Sequence, residues 1–192
     1  MLEFLNNLDE KLFLLLNSLS APWLDPVMFA LTDARYWIPF FLIIMVSLVY
    51  KFKWQTVSIL LFLTIAIICA DQLSASLLKP WIGRLRPSHN PELKNLIHTV
   101  NGYRGGQFGF VSSHATNAFA IATFIWLSAR KKVSWIWIMF IWAIIFSYTR
   151  IYLGVHYPGD IVFGALLGAS IGWLMYQLMK RASLPNKISY QG

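Results

Sequence analysis

The chain has 192 residues, of which 57% are hydrophobic and only 12% charged, with a formal net charge of +8. Soluble domains carry roughly 25% charged residues, so the shortfall points to lipid as the main solvent. The excess bases lie between apolar runs or in spaced motifs, which suits anionic lipid headgroups or a phosphate group and argues against nucleic acid. Cys69 is the single cysteine, which excludes an internal disulfide and a cysteine-based metal site.

Taken from the start, residues 1–33 read as an interfacial or broken helical segment. Residues 3–19 combine a charged face (Glu3, Asp9, Glu10, Lys11) with an apolar one, the pattern of a helix lying in the membrane interface. The opening stretch lacks a basic leader and a small-residue cleavage site, so it is not read as a cleaved signal peptide. Pro22, Asp25 and Pro26 suit a re-entrant or broken segment over 22–32, and together the two pieces could supply a sixth crossing. The transmembrane core is expected over 35–180. A membrane span needs about 20 mostly apolar residues. Arg35–Tyr50 is short but almost wholly apolar, and Trp54–Leu77, Ser113–Ala129, Val133–Tyr148 with its flanks and Pro158–Met179 are stronger. In the last of these, Gly164, Gly168 and Gly172 recur every four residues, a stripe that lets a neighbouring helix approach closely. The expected fold is an all-α polytopic bundle of five to six transmembrane helices, one domain over 1–192. Nine Trp, eight Tyr and fourteen Phe suit aromatic belts at its interfaces.

The turns at 51–53 and 130–132 and the tail at 180–187 fall on one side and hold Lys51, Lys53, Arg130, Lys131, Lys132, Lys180, Arg181 and Lys187 without an acid. The opposite side also has several bases, so the raw count does not decide; with Lys79, Arg86 and Arg150 set aside as dedicated to a site, the first side is assigned to the cytoplasm and the long polar loop, Lys79 to about Phe110, faces outward.

Three polar clusters gather on the loop side. Lys79, Arg86 and Pro87 follow the second strong apolar stretch, Ser112, Ser113 and His114 open the next, and Arg150, His156 and Asp160 lie between the last two. Phosphoryl transfer needs this set, because positioned cations must match the charge on the transferred oxygens. Arginine offers phosphate a planar fork, and a helix start at Ser112–Ser113 offers unpaired N–H groups and a positive dipole end. Two histidines permit one to attack phosphorus while the other protonates the leaving oxygen, and a carboxylate four residues from His156 can fix its tautomer. Singly, each residue has a plainer explanation: lysine and arginine snorkel to interfaces, and Asp160 could be a helix-start charge. Asp71, inside an apolar run, could pair with Lys79 or be purely structural.

The clusters resemble the signature of the type 2 phosphatidic acid phosphatase superfamily, K-x6-R-P, then P-S-G-H, then S-R-x5-H-x3-D. Lys79, Arg86 and Pro87 fit the first part, Ser112 and His114 the second, Arg150, His156 and Asp160 the third. Val111, Ser113 and Thr149 depart from the pattern's Pro, Gly and Ser. The resemblance implies a metal-free and cofactor-free lipid phosphatase in which His156 is the nucleophile, Asp160 orients it and His114 is the acid. Lys79, Arg86, Ser112, Ser113 and Arg150 would hold the phosphoryl oxygens. It further implies a bacterial inner-membrane protein acting on its extracytoplasmic side. Undecaprenyl pyrophosphate is the expected substrate, with phosphatidylglycerophosphate, phosphatidic acid or lipid A as alternatives. A protein that binds or flips lipid phosphates without catalysis would use the cations but would not need His156 with Asp160.

Overall fold

In the computed structural model, residues 2–182 are described, so Lys187 of the basic group lies outside them. The described chain is helical, and its only ladder-type pairing is an isolated antiparallel bridge between Leu85 and Phe108. The elements are α1 (Leu2–Asn17), α2 (Asp25–Leu31), α3 (Ile38–Phe52), α4 (Gln55–Asp71), α5 (Lys79–Ile82), α6 (Ser113–Ala129), α7 (Ile138–Tyr152) and α8 (Pro158–Ala182). Short 3-10 turns, Ala34–Trp37 and Ser134–Trp137, lead into α3 and α7. Among the described residues, four helical runs are long and apolar enough to cross a membrane: Ala34–Phe52, Gln55–Ile82, Ser134–Tyr152 and Pro158–Ala182.

The helical runs extend beyond the apolar cores read from the sequence, and at two ends the extension carries chemistry onto a helix. The expected second strong span stops at Leu77, but the helical run continues to Ile82 because a π-helical turn over Gln72–Leu78 joins α4 to α5. Wider turns of this type are frequent at functional sites, and here one directly precedes Lys79, the first residue of α5. The fourth expected span is Val133–Tyr148 with its flanks, and α7 runs to Tyr152 and carries Arg150 in its last turn. That turn can stay helical because Thr149, Arg150, Ile151 and Tyr152 are all buried.

The centre of the bundle is the pair α6 and α8. The α6 face toward α8 is small, with Ala115, Thr116 and Ala120 buried against the α8 glycines. Gly164, Gly168 and Gly172 of α8 lie against the carbonyls of Ser112, Thr116 and Ala120 respectively. Both series advance by four residues, so the two helices run parallel with their backbones nearly touching. Both therefore point their N-termini toward the same end of the molecule. The stripe read from the sequence is thus a seam within the chain. Below it, Phe124, Ile125, Ile136 and Met139 pack with Ile44 and Leu48 of α3. At the basic end, the Lys132 ammonium donates to the Lys51 carbonyl, 3.3 Å, which brings two of the basic turns together.

The N-terminal helix is fixed by one face. Phe13 is fully buried and meets Tyr157 edge-on at 5.5 Å between centroids. The Asn17 amide donates to the carbonyls of His98, Ile151 and Tyr152, at 3.1, 3.0 and 2.9 Å. Its opposite face exposes Phe4, Leu5, Leu8, Leu12 and Leu15.

The seam predicts a strong steric effect. A Cβ at Gly168 would run into the Thr116 carbonyl, so Gly168→Val should destabilise the protein by about 1–3 kcal/mol or prevent folding, as overpacked cores do. Ser170→Val, on the exposed side of the same helix, should leave stability unchanged. Thermal unfolding in detergent micelles checks the contrast.

Candidate active site

The three polar clusters meet at the end where α5 and α7 finish and α6 and α8 begin. Local backbone chemistry brings each there. The segments 84–86 and 107–109 pair, with Arg86 N–H donating to the Gln107 carbonyl, 3.1 Å, and Gly109 N–H to the Arg84 carbonyl, 2.8 Å. Arg86 is thereby laid along the second segment, where its Nε donates to the Phe108 carbonyl at 3.0 Å. After α7 the chain folds back on itself. The N–H groups of Val155 and His156 both donate to the Arg150 carbonyl, at 3.0 and 3.2 Å, which explains why a five-residue gap separates Arg150 from His156. Asp160, in the first turn of α8, accepts the Tyr157 N–H at 3.1 Å, as a carboxylate near a helix N-terminus often does.

His156 and Asp160 form the innermost pair. Both are essentially buried, with Nδ1 of His156 3.2 Å from Oδ2 of Asp160. Since the carboxylate accepts, the proton belongs on Nδ1 and Nε2 keeps its lone pair. Burial, reinforced by the charges of Arg86, Arg150, Lys79 and Arg84, holds the pKa of His156 well below its ordinary 6.5. The imidazole is therefore neutral, as a nucleophile must be.

The cations surround this pair. Arg150 is 2% exposed, donating from one Nη to the Thr32 hydroxyl and from the other to the Tyr103 hydroxyl, 3.0 Å. Its Nε and one Nη of Arg86 are buried without a hydrogen-bond partner. Unpaired buried guanidinium donors are costly, and a phosphoryl oxygen is the acceptor that would satisfy them. Lys79 donates to the Ser113 hydroxyl at 2.6 Å, and Asp71 instead accepts from the Asn117 amide, 3.4 Å. The pairing of Asp71 with Lys79 entertained from the sequence does not form.

The helix start at α6 is only partly open. Ser112 caps the helix, its hydroxyl accepting from Ala115 N–H at 3.5 Å. Its own N–H donates to the Asp160 carbonyl at 3.0 Å. The backbone of Ser112 therefore links α6 to α8 and is not free for an anion, which corrects the expectation that both serine N–H groups face a phosphate. The N–H groups of Ser113 and His114 remain for that task. His114 stacks on Phe146 at 5.2 Å and 25°, and Phe146 in turn on Trp142 at 5.5 Å. This column of rings fixes the His114 plane. His114 and Arg150 line a cleft of about 390 Å³ whose other walls include Thr32, Arg35, Tyr36 and Tyr103.

Five residues escaped sequence reasoning. Arg84 donates to Asp160 Oδ1 at 2.9 Å and to Asp9 at 2.8 Å. Thr32 and Tyr103 hold Arg150, and neither carries a charge that would mark it. Gly109 leaves no room for a Cβ, which would stand 2.8 Å from Asp160 Oδ2. The R-x-R-P spacing around Arg84 was the one available signal.

Among the described residues, no group of three or more His, Cys, Asp or Glu side chains converges as a metal ion would require. Lys79, Arg84, Arg86 and Arg150 outnumber the site's two carboxylates, Asp9 and Asp160, by two charges. A phosphate monoester carries about that charge at neutral pH.

The PAP2 superfamily model matches residues 55–184. A lipid A 4'-phosphatase of Bacteroides thetaiotaomicron is 44% identical over 179 residues, covering 92% of this chain and 79% of that protein. A putative undecaprenyl-diphosphatase of Escherichia coli, YbjG, is 29% identical over 185 residues, covering 93% of this chain and 85% of that protein. Among solved structures, LpxE of Aquifex aeolicus superposes with a TM-score of 0.65 at 28% identity, over 88% of this chain and 95% of that one.

The burial of His156 makes a direct prediction. In the substrate-free protein, 15N NMR of labelled histidine should show His156 still neutral as pH falls through 6.5, with protonation well below that value. Titration at or above 6.5 would mean that the cations do not act on this ring.

Proposed function

The chain belongs to the PAP2 superfamily and is an integral membrane lipid phosphatase, and from that premise we propose the chemistry, the substrate and the orientation of this one. The observation that carries the chemistry is the buried His156–Asp160 pair facing unpaired guanidinium donors. Nε2 of His156 attacks phosphorus, forming a P–N bond as the P–O bond to the lipid breaks. The leaving oxygen takes a proton from His114 and departs as the lipid alcohol. His114 then takes a proton from water, the resulting hydroxide attacks phosphorus, and the P–N bond breaks to release phosphate. Lys79, Arg86, Arg150, the Ser112 and Ser113 hydroxyls and the open N–H groups of α6 hold the phosphoryl oxygens. Asp160 keeps the His156 proton on Nδ1 and stabilises the cation that develops. A non-catalytic binding protein gains nothing from that pair.

The substrate we favour is the 4'-phosphate of a lipid A-type glycolipid. Its support is the 44% identity to the Bacteroides protein across most of both chains. Undecaprenyl pyrophosphate, the expectation from the motifs, is the second reading, supported by the weaker similarity to YbjG.

For topology we propose one domain with five crossings. Helix α6, with 17 residues, lies parallel to α8 at the bundle centre and supplies the fifth. Helix α1 is tied along its length to the site end of the bundle by Asp9, Phe13 and Asn17 and turns an exposed apolar face outward, so it lies in the interface at that end. The basic turns face the cytoplasm, and the site faces the extracytoplasmic side of the bacterial inner membrane.

Purified protein should release phosphate fastest from lipid A when offered with undecaprenyl pyrophosphate, phosphatidylglycerophosphate and phosphatidic acid. A clear preference for undecaprenyl pyrophosphate would reverse the order of the two readings. Turnover should survive excess EDTA and vanish in folded His156→Ala, and a chelator-sensitive activity restored by Mg²⁺ would contradict the mechanism. Arg150→Lys should lose on the order of a hundredfold in activity, since a point charge cannot replace the fork. In a Cys69→Ser background, a cysteine at Asn101 should react with an impermeant thiol reagent in spheroplasts and one at Lys131 should not. The reverse labelling would invert the topology.

A further inference from the structure

We propose that Asp9 on the N-terminal helix is a positioning residue of the active site, acting through Arg84 on the Asp160–His156 pair. The inference rests on the catalytic reading of that pair. It also adds a residue from outside the matched region, residues 55–184.

The geometry is a chain of charges. Arg84 reaches Asp160 Oδ1 with one Nη, 2.9 Å, and Asp9 Oδ2 with the other, 2.8 Å. Its guanidinium carbon lies over the Tyr157 ring, 4.1 Å from the centroid, a cation–π contact that helps to hold the fork. The other Asp9 oxygen accepts the Gly159 N–H at 2.7 Å, in the first turn of α8. A Cβ on residue 159 would stand 2.6 Å from the Asp9 carboxylate, so the glycine gives Asp9 its seat. Asp9, Phe13 and Asn17 recur at helical spacing on one face of α1, and each makes a contact with the end of the bundle that bears the site.

The consequence follows from sharing. With Arg84 bound to Asp160 Oδ1, Oδ2 remains for the His156 Nδ1–H and the Tyr157 N–H. Were Asp160 the only carboxylate on Arg84, its charge would be drawn toward the guanidinium and away from His156. Asp9 takes half of that demand. Asp160 then keeps the negative character that supports the imidazolium as the P–N bond forms. Loss of Asp9 should weaken the chemical step and leave phosphate binding nearly intact, because Lys79, Arg86 and Arg150 are untouched.

The test uses the full-length protein in detergent with a lipid phosphate that the wild type hydrolyses. Asp9→Asn keeps the shape and the acceptor for Gly159, and should lower kcat by about 10- to 100-fold, the range spanned by loss of one charged hydrogen bond, with KM within about twofold. Arg84→Gln removes the competing guanidinium together with the role of Asp9, so kcat should fall less than in Asp9→Asn. The double variant should be no worse than the worse single, because both act on one carboxylate. Wild-type kcat in Asp9→Asn, or losses that multiply in the double variant, would overturn the proposal. If Asp9→Asn fails to fold, Arg84→Lys carries the test. It keeps the charge but lacks the planar fork that holds both carboxylates in fixed places, so an unchanged kcat there would equally overturn it. His156→Ala run alongside separates the two levels: an active His156→Ala removes the catalytic reading itself, whereas a dead His156→Ala with an active Asp9→Asn removes only the role of Asp9.

Discussion

Positive charge buried at one end of an apolar bundle is the constraint on which the rest of this structure depends. Arg86, Arg150 and the half-buried Lys79 and Arg84 crowd around a carboxylate, Asp160, that is wholly removed from solvent. Holding that many cations together costs free energy through desolvation and mutual repulsion. The cost is offset in part by Asp9 and Asp160, by the Thr32 and Tyr103 hydroxyls and by the carbonyl of Phe108. What is left uncompensated has the charge and the donor geometry of a phosphate dianion.

The bundle is organised to hold this cluster still. The glycine seam makes α6 and α8 run parallel at very close range, so two helix N-termini converge on one place. An antiparallel pair would have sent one of them to the opposite membrane face. The Ser112 N–H, donating to the Asp160 carbonyl, ties the two starts together. The π-helical turn at Gln72–Leu78 leads into Lys79, and the ring column Trp142–Phe146–His114 sets the second histidine. Each device fixes a polar group from an apolar scaffold, and backbone hydrogen bonds hold the connecting segments that carry Arg84, Arg86 and His156.

Much of this was legible in the sequence because charge is so rare in it. Lys79, Arg86, Arg150, His156 and Asp160 stand out against apolar surroundings, and their spacings reflect backbone geometry such as the turn that hangs His156 from the Arg150 carbonyl. The glycine stripe was legible for the same reason, since four-residue spacing has one helical meaning. Helix ends were not, because hydropathy registers where lipid ends and helices here extend beyond that point: Arg150 stays helical since its side chain is buried, which composition does not reveal. Asp9 was read as part of a charged outer face, yet it points inward to Arg84. Its partner is 75 residues away, and no local pattern encodes so distant a contact. Thr32 and Tyr103 were silent because a hydroxyl becomes informative only beside the guanidinium it holds. The lipid tail leaves no mark on the motifs that bind its phosphate.

The account turns on a bond between phosphorus and one nitrogen of His156. Rapid mixing of the protein with a lipid phosphate labelled in its phosphoryl group, an alkaline quench and peptide mapping by mass spectrometry would look for that bond directly. The account predicts a transient phosphoryl group on His156, formed as fast as the lipid alcohol appears and lost as phosphate is released. Label on Ser113 or on His114, or phosphate release with no covalent species while the lipid alcohol is formed in a burst, would contradict it.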